Sequence, residues 1–348
     1  MLRDLGELAG SWDRLACGSG SPMHSYAWVR AWAETFVTAE RLHLVVVGSP
    51  ERPVALAPLI RRTHGVPRLE LVGREVHEPM DLVYKQPADV MMLAARLLEF
   101  RLPLLLARVP ADSPTVQAVH AAWRGRGVVI CRPALGLPWI ALDRRWAELE
   151  PPLRARRRSD LRRAQRSAEK LGPVRCDIVS PSRPELATLL GEAFRVEAAS
   201  WKGRAGTALA MDATQGAFYR RFTAAACDAG ILRLCFLRIG GRSAAMQIAL
   251  ETEGRFWLLK IGYDHAFADC SPGTLLVRET VRYAAARGLQ SYEFLGTPEP
   301  WIRGWTDQVR PCVSIRAYPA GPWGVAALTA DLVRAGWRKL TRACEIEP

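Results

Sequence analysis

Three features common in other protein classes are missing from this sequence. Its eight cysteines are scattered without a C-x-x-C pair, and a chain of 348 residues can bury a core large enough to fold without disulfide bonds. We therefore expect reduced thiols and a cytoplasmic protein. The six histidines show no metal-ligand spacing with one another or with cysteine, so no metal site is expected.

Long apolar runs are absent as well. The most apolar long window, residues 91–109, contains Arg96, Glu99, Arg101 and Arg108, and burying these charges in a bilayer would be costly. The first seven residues lack the apolar core of a signal peptide. Any contact with a membrane is therefore expected at its surface, on the inner face.

Positive charge is abundant and concentrated in one segment. The net charge is +13 and the pI about 9.8, which favours an anionic partner such as a nucleotide cofactor, a nucleic acid or a membrane surface. Residues 151–170 hold eight Arg or Lys against two acidic residues, a net +6. The pattern predicts a basic helix over 152–171, and an ordinary solvated helix is the commonest structure for such a run. The functional alternatives are contact with an acidic glycan or a lipid phosphate, with the adenosine phosphate of a nucleotide cofactor, or with RNA. Peripheral contact with an anionic membrane or with envelope machinery would also use this helix. The segment has no interleaved aromatic residues, which argues against single-stranded nucleic acid as its partner.

The two halves of the sequence share one order of elements. Each runs helix, strand, tight glycine turn, strand, strand, helix, strand, although few residues are identical between them. This order predicts a duplicated α/β unit with a boundary near 145–152, giving lobes 1–150 and 151–348. The first half lacks a Ser-Pro-Gly turn before its helix, so the second is expected to bind any anionic cofactor.

One stretch of the second lobe, residues 255–296, predicts a strand, a turn, a helix and a further strand. At the helix start, Ser271 is expected to cap, Pro272 to occupy the first helical position and Gly273 to let a ligand approach the backbone. The free N–H groups of such a first turn, with the helix dipole, form a phosphate site. The alternative is an ordinary strand–helix–strand unit with a well-capped helix.

Several sequence blocks follow one another in a specific order over the second lobe. They are Arg156-Arg157-Arg158 to Arg166, Glu197 to Gly203, Phe218-Tyr219, Lys260 to Asp264, Ser271 to Leu276, Phe294-Leu295-Gly296, Glu299-Pro300-Trp301 and Trp305-Thr306. In this order they resemble the GNAT superfamily of acyl-CoA-dependent acyltransferases. The resemblance is closest to the CelD-type branch of cellulose and exopolysaccharide biosynthesis, which is related to the Fem-type aminoacyltransferases.

The resemblance implies a fold, a cofactor and a reaction. The fold is α/β, with two tandem GNAT-like lobes, each a mixed, mostly antiparallel sheet flanked by helices, and with a degenerate first lobe. Acetyl-CoA or another acyl-CoA would lie along Lys260, Ile261 and Gly262, with its pyrophosphate on the turn from Ser271 to Thr274. The family usually has a Lys after the aromatic residue of the Glu-Pro-aromatic block, and this chain has Ile302 there, followed by Arg303.

Acyl transfer needs a base for the acceptor and a polarised thioester carbonyl. Glu197 is the first candidate for the base, because it falls on an apolar helical stripe with Leu190 and Ala193. Its alternative role is a structural ion pair. Asp264 is the second candidate, with turn capping as its alternative, and Tyr263 is the candidate acid that reprotonates the leaving thiolate. Strand alternation places Asp264 on the face of Leu258 and Lys260, and the Lys260 ammonium is expected to pair with a carboxylate, such as that of Asp264.

Five residues are assigned to acceptor binding: Trp201, Lys202, Trp301, Arg303 and Trp305. Trp301 and Trp305 flank Gly304 in a loop, where their rings would either stack on a sugar or pack against the protein. The acceptor is expected to be a glycan, a lipid-linked precursor or an amine of the cell envelope. No Ser-His-Asp set or activated Cys is apparent, which favours direct transfer. The rival functions are a Fem-type transferase that uses aminoacyl-tRNA and a binding module without catalysis.

Overall fold

A computed structural model describes residues 2–37, 42–148, 152–200, 206 and 208–344, and the side chains of 2–4 and 335–344 are not described. By their internal contacts, the residues form two compact units. The first comprises Met1–Ala33, Val37–Leu135 and Pro311–Pro348, and the second comprises Glu34–Phe36 and Gly136–Arg310.

The first part of the chain contains the following elements: α1 (Leu2–Glu7), α2 (Ala9–Ala16), α3 (Tyr26–Phe36), β1 (Leu42–Ser49), β2 (Arg52–Arg62), β3 (Arg68–Leu71), β4 (Val83–Tyr84), α4 (Pro87–Glu99), β5 (Leu104–Pro110), α5 (Pro114–Trp123) and β6 (Gly127–Ala141). The remainder contains α6 (Ala155–Glu169), β7 (Val174–Val179), α7 (Arg183–Ala198), α8 (Ala213–Asp228), β8 (Leu232–Ile239), β9 (Arg242–Thr252), β10 (Arg255–Tyr263), α9 (Pro272–Ala286), β11 (Ser291–Glu293), β12 (Val309–Pro319) and α10 (Pro322–Cys344). The basic helix α6 thus begins three residues later than the sequence predicts.

The sheet of the first unit has the strand order β1-β2-β3-β5-β12, with β4 paired to β2. All its pairs are antiparallel except β3 with β5, which are parallel and joined through α4. In the second unit the order is β7-β8-β9-β10-β11-β6. Here only β10 and β11 are parallel, and α9 is their crossover. The predicted α/β fold with mixed, mostly antiparallel sheets flanked by helices is therefore confirmed.

Each unit takes one strand from the other half of the sequence. In the first unit β5 pairs with β12, from the end of the chain, and in the second unit β11 pairs with β6 through residues 139–141. The two units therefore differ from the expected lobes 1–150 and 151–348. The difference arises because β6 extends to Ala141, whereas its sequence predicts a strand of only 128–133.

Local sequence explains the regular elements that frame the second sheet. The β8–β9 hairpin turns at Gly240 and Gly241, whose φ angles of 56° and 81° suit residues without a side chain. Ser182 and Glu185 form a reciprocal capping box at the start of α7. The buried core on one face of this sheet joins β8, β9 and β10 to α6 and α9.

Among the described helices, none combines the length and the apolar composition needed to cross a bilayer. The seven cysteines whose side chains are described are free thiols.

His24 makes the stability of the first unit depend on pH. It precedes α3 and is 9% exposed, and burial lowers its pKa from 6.5 to about 4. The unfolded chain therefore accepts the proton near pH 6.5 and the folded protein only near pH 4. We expect the free energy of unfolding to fall by about 3 kcal/mol as the pH drops through this window.

Urea unfolding measured across this pH range tests the expectation. His24→Gln should abolish most of the dependence of the unfolding free energy on pH, whatever it does to stability at neutral pH. His64→Gln changes an exposed histidine and is the matched control. An unchanged slope in the His24 variant would show that other groups cause the pH dependence.

Candidate active site

The hydrogen-bonded ladder between β10 and β11 ends part-way along β10. Their parallel ladder covers three pairs, from Arg255 with Ser291 to Trp257 with Glu293. Strand β11 ends at Glu293, whereas β10 continues to Tyr263. Beyond Trp257 the two strands no longer form a ladder, so the later part of β10 is not paired with β11 on this side.

A bulge in β10 changes the faces of its side chains. The register with β9 shifts between Leu258 and Lys260, so Leu259 is an extra residue. Leu258 packs in the core with α9, whereas the Lys260 ammonium lies 5.0 Å from the ring centroid of Tyr219 on α8. The prediction that Leu258 and Lys260 share a face was therefore wrong, because strict alternation does not survive a bulge.

The start of α9 lies beside the end of β10. A Cβ atom added to Gly273 would lie 3.7 Å from Cδ1 of Tyr263 and 4.0 Å from Cδ1 of Ile261. These are ordinary contact distances, so the Gly273 backbone closely approaches the side chains of β10. The predicted turn and the end of the predicted strand are thus neighbours.

Ser271 does not cap α9 with its side chain, which corrects the sequence prediction. The residue adopts a left-handed conformation with φ 48°, and its carbonyl accepts the N–H groups of Thr274 and Leu275. Pro272 has no N–H group. In the described structure, the Gly273 amide is therefore the first-turn donor left for a ligand. The predicted phosphate site thus has fewer free N–H groups than the sequence suggests.

Glu197 lies on α7 and contacts β10 from the face opposite α9. It is 1% exposed, and its Oε2 atom accepts a hydrogen bond from the Leu209 N–H at 2.9 Å. A Cβ atom added to Gly262 would lie 2.9 Å from the Glu197 Cα. Gly262 is therefore required for α7 to reach the strand, a steric role that its place in the sequence does not reveal.

Asp264 ends β10 with both carboxylate oxygens engaged. Oδ1 accepts the Ala266 N–H at 2.9 Å and caps the short helix from His265 to Cys270. Oδ2 lies 3.4 Å from Nη2 of Arg242, so Arg242 rather than Lys260 is its described ion-pair partner. The turn-capping alternative thus describes the position of Asp264.

The proposed acceptor residues lie in different surroundings. Trp301 donates from Nε1 to Glu299 at 2.7 Å, and its ring centroid is 5.8 Å from that of Phe294. Trp305 is 4% exposed and belongs to the core, whereas Arg303 is exposed. Trp201 and Lys202 lie outside the described residues. Both loop tryptophans therefore pack against the core on the side of the sheet that carries α9.

The elements from α6 to β11 lie in a region that matches one sequence family. Residues 155–303 match the family described as Acetyltransferase (GNAT) domain. The matched residues include the end of the β10–β11 ladder, the turn at the start of α9 and the helix that carries Glu197. A search of curated proteins gives no match.

Solved structures resemble the chain over most of its length. The C-terminal domain (DUF2156) of a putative lysylphosphatidylglycerol synthetase from Agrobacterium fabrum aligns with TM-score 0.60 and 12% identity, covering 94% of this chain and 96% of that chain. FemX aligns with TM-score 0.56 and 12% identity, covering 91% and 95%. L-PGS from Bacillus licheniformis aligns with TM-score 0.50 and 11% identity, covering 77% and 82%. At these identities the likeness establishes the fold alone.

Proposed function

We propose that the GNAT domain transfers an acyl group directly from acyl-CoA to an amine or hydroxyl of a cell-envelope or exopolysaccharide-related acceptor. The observation that carries this proposal is the end of the β10–β11 ladder at Trp257, close to the Gly273 turn. A thioester placed beside the later part of β10 would lie against strand backbone, and a pyrophosphate would meet a helix N-terminus.

The turn at the start of α9 and the backbone of β10 hold different parts of acyl-CoA. The Gly273 amide and the positive end of α9 bind the pyrophosphate, with Ile261 and Tyr263 beside the same turn. Backbone N–H groups of β10 after Trp257 donate to the thioester carbonyl and stabilise its developing negative charge. Acyl-CoA supplies the activated acyl group.

The proton steps are assigned to side chains at the same strand. Glu197 removes the proton of the acceptor, because it is a buried carboxylic acid residue whose Cα, Cβ and Cγ atoms lie against β10 at Gly262. Tyr263, at the end of the strand, reprotonates the thiolate. Asp264 remains the alternative base, and its carboxylate accepts the Ala266 N–H and pairs with Arg242.

Two thiols of the second unit, Cys176 and Cys235, are poorly suited to forming a covalent enzyme intermediate. Burial raises the pKa of Cys176 to about 12 and holds that of Cys235 well above its usual range. Both residues are therefore protonated thiols at neutral pH, and a thiol is a weak nucleophile. The acceptor itself is the nucleophile in the proposed reaction.

Binding of CoA separates this proposal from its two rivals. We expect CoA and acetyl-CoA to raise the melting temperature, and Gly273→Val to abolish the increase, since a branched side chain blocks the approach of a phosphate to the amide. Gly273→Ala is the milder control, because its Cβ has ordinary contact room. An unchanged melting temperature of the parent protein at millimolar CoA would favour an aminoacyl-tRNA donor or a non-catalytic module.

Turnover requires a second experiment. Labelled acetyl-CoA is incubated with candidate amines and hydroxylated glycans, and thiol release is measured with and without each acceptor. Release that depends on an acceptor identifies the acceptor class. CoA binding without any acceptor-dependent release would support the binding module.

A further inference from the structure

One arginine of the basic helix differs from its neighbours by facing the protein. Arg157, in the first turn of α6, places its guanidinium carbon 5.2 Å from the ring centroid of Trp305. A Cβ atom added to Gly304 would lie 3.0 Å from both Cζ and Nε of Arg157. The guanidinium therefore lies against the backbone of Gly304 and the ring of Trp305.

The other arginines near the start of α6 have different environments. Arg154 pairs with Asp307 at 3.2 Å, and Arg158 donates to the Leu153 carbonyl at 2.5 Å. Arg156 is exposed. Arg157 thus combines burial against an indole ring with the absence of an ion pair in the described part of the chain.

Hydrogen-bond donors at this contact lack acceptors. Nε and Nη2 of Arg157 and Nε1 of Trp305 are each buried, and none has a hydrogen-bond partner among the described residues. Burial lowers the pKa of Arg157, with Asp160 opposing the shift through its charge. A buried, charged donor without an acceptor destabilises the folded protein. A bound anion that accepts its hydrogen bond would remove this cost.

The arrangement of the two arginine donors matches one class of ligand. Nε and Nη2 form one edge of the guanidinium, which binds two oxygen atoms of one carboxylate or phosphate in parallel hydrogen bonds. Helix α6 begins at the same place, and its N-cap residue, Arg154, makes no side-chain cap. The positive end of the helix dipole adds to the attraction for an anion.

We propose that Arg157, Gly304 and Trp305 form a subsite for a two-oxygen anion, a carboxylate or a phosphate monoester, carried by the acceptor. The anion takes both donors of the Arg157 edge, while the guanidinium lies against the Trp305 ring. Gly304 is needed because any side chain there would push the guanidinium away. This subsite rests on the proposed function, since it assigns an acidic acceptor to the GNAT domain.

Direct binding of small probes to the full-length protein tests the subsite without CoA. Glucuronate carries a carboxylate, glucose 1-phosphate carries a phosphate monoester, and glucose is the neutral control. The readout is the indole N–H resonance of Trp305, identified by its loss in Trp305→Phe. We expect one or both anions, and not glucose, to shift this resonance to saturation, and the anion that binds more tightly identifies the class.

Variants separate recognition by Arg157 from general positive charge. Arg157→Met should remove the anion-dependent shift, and Arg157→Lys should weaken binding by about tenfold or more, because a lysine cannot make the paired contact. Arg156→Met removes the same charge from an exposed site and should change affinity less than about twofold at physiological salt. Gly304→Ala should weaken binding while leaving Arg157 present.

Three results would overturn the proposal: no shift with either anion, equal binding by Arg157→Met, or equal loss in Arg156→Met. The CoA-dependent melting increase is measured on the same preparations. A normal CoA response without anion binding removes only this subsite. Anion binding without a CoA response removes the acyltransferase proposal and leaves an anion site to be explained.

Discussion

Glu197→Gln is expected to lower turnover by about two to four orders of magnitude, the usual share of general-base catalysis, with CoA binding little changed. The amide keeps the size of the side chain and an oxygen that can accept the Leu209 N–H, but it cannot take a proton. Turnover is measured as thiol release with an acceptor identified in the labelled acetyl-CoA experiment. Cofactor binding is measured as the CoA-dependent increase in melting temperature.

Glu192→Gln is the matched control on the same helix. Glu192 accepts from Arg238 at 2.7 Å and has a structural ion pair, so its variant should lose stability without a comparable loss of turnover. If Glu197 is structural too, its variant will lose several kcal/mol of stability and its activity will follow the folded fraction. A stable Glu197→Gln protein with near-normal turnover would transfer the role to Asp264.

A chain that ends at Arg310 is expected to lose the folded first unit. It lacks β12 and α10, and with them the buried side chains of Ile315, Ala317 and Tyr318. Fully burying one large apolar side chain is worth about 1.5–3 kcal/mol, so the loss approaches the whole stability of a typical domain. Backbone hydrogen bonds of β5 also lose their partner strand.

Hydrogen exchange measured by mass spectrometry tests this expectation element by element. Amides of β5 should lose their protection, and amides of β8 and β9 should keep most of theirs. A chain that ends at Arg334 is the control, because it retains β12 and the Asp331 carboxylate, which pairs with Arg316 at 2.7 Å. Protection of β5 in the shorter chain would mean that the first unit is complete without β12.

The sequence predicted elements well where their pattern is local. The sequence predicts a helix at 214–228, and α8 spans Ala213–Asp228. It predicts a strand at 310–319, and β12 spans Val309–Pro319. The same holds for the Gly240-Gly241 hairpin, whose turn chemistry admits few alternatives.

Prediction failed where a distant contact decides the local structure. Pro133, Gly136 and Pro138 lie inside β6, and each is usually a strand breaker. Gly136 is there because a Cβ would lie 2.4 Å from Cγ1 of Val309, a contact that no local pattern can reveal. The bulge at Leu259 likewise depends on the pairing of β10 with β9.

The candidate site shows the same division. The Pro272-Gly273 turn and its strand were visible in sequence, because a helix start has a recognisable chemistry. The inward position of Arg157 was not, since six of its neighbours between 154 and 166 are also arginines and nothing in the run distinguishes it. Its contact with Gly304 joins residues far apart in the chain.

Each unit includes a strand from the other half of the sequence, β6 or β12, and this arrangement has a consequence for synthesis on the ribosome. All residues of the second unit have been translated when Arg310 is added, but β5 still awaits a strand that ends at Pro319. The first unit is therefore completed after the second. Until residues up to Pro319 leave the exit tunnel, β5 is an open sheet edge, and nascent chains are most vulnerable to wrong pairing with one another at this stage.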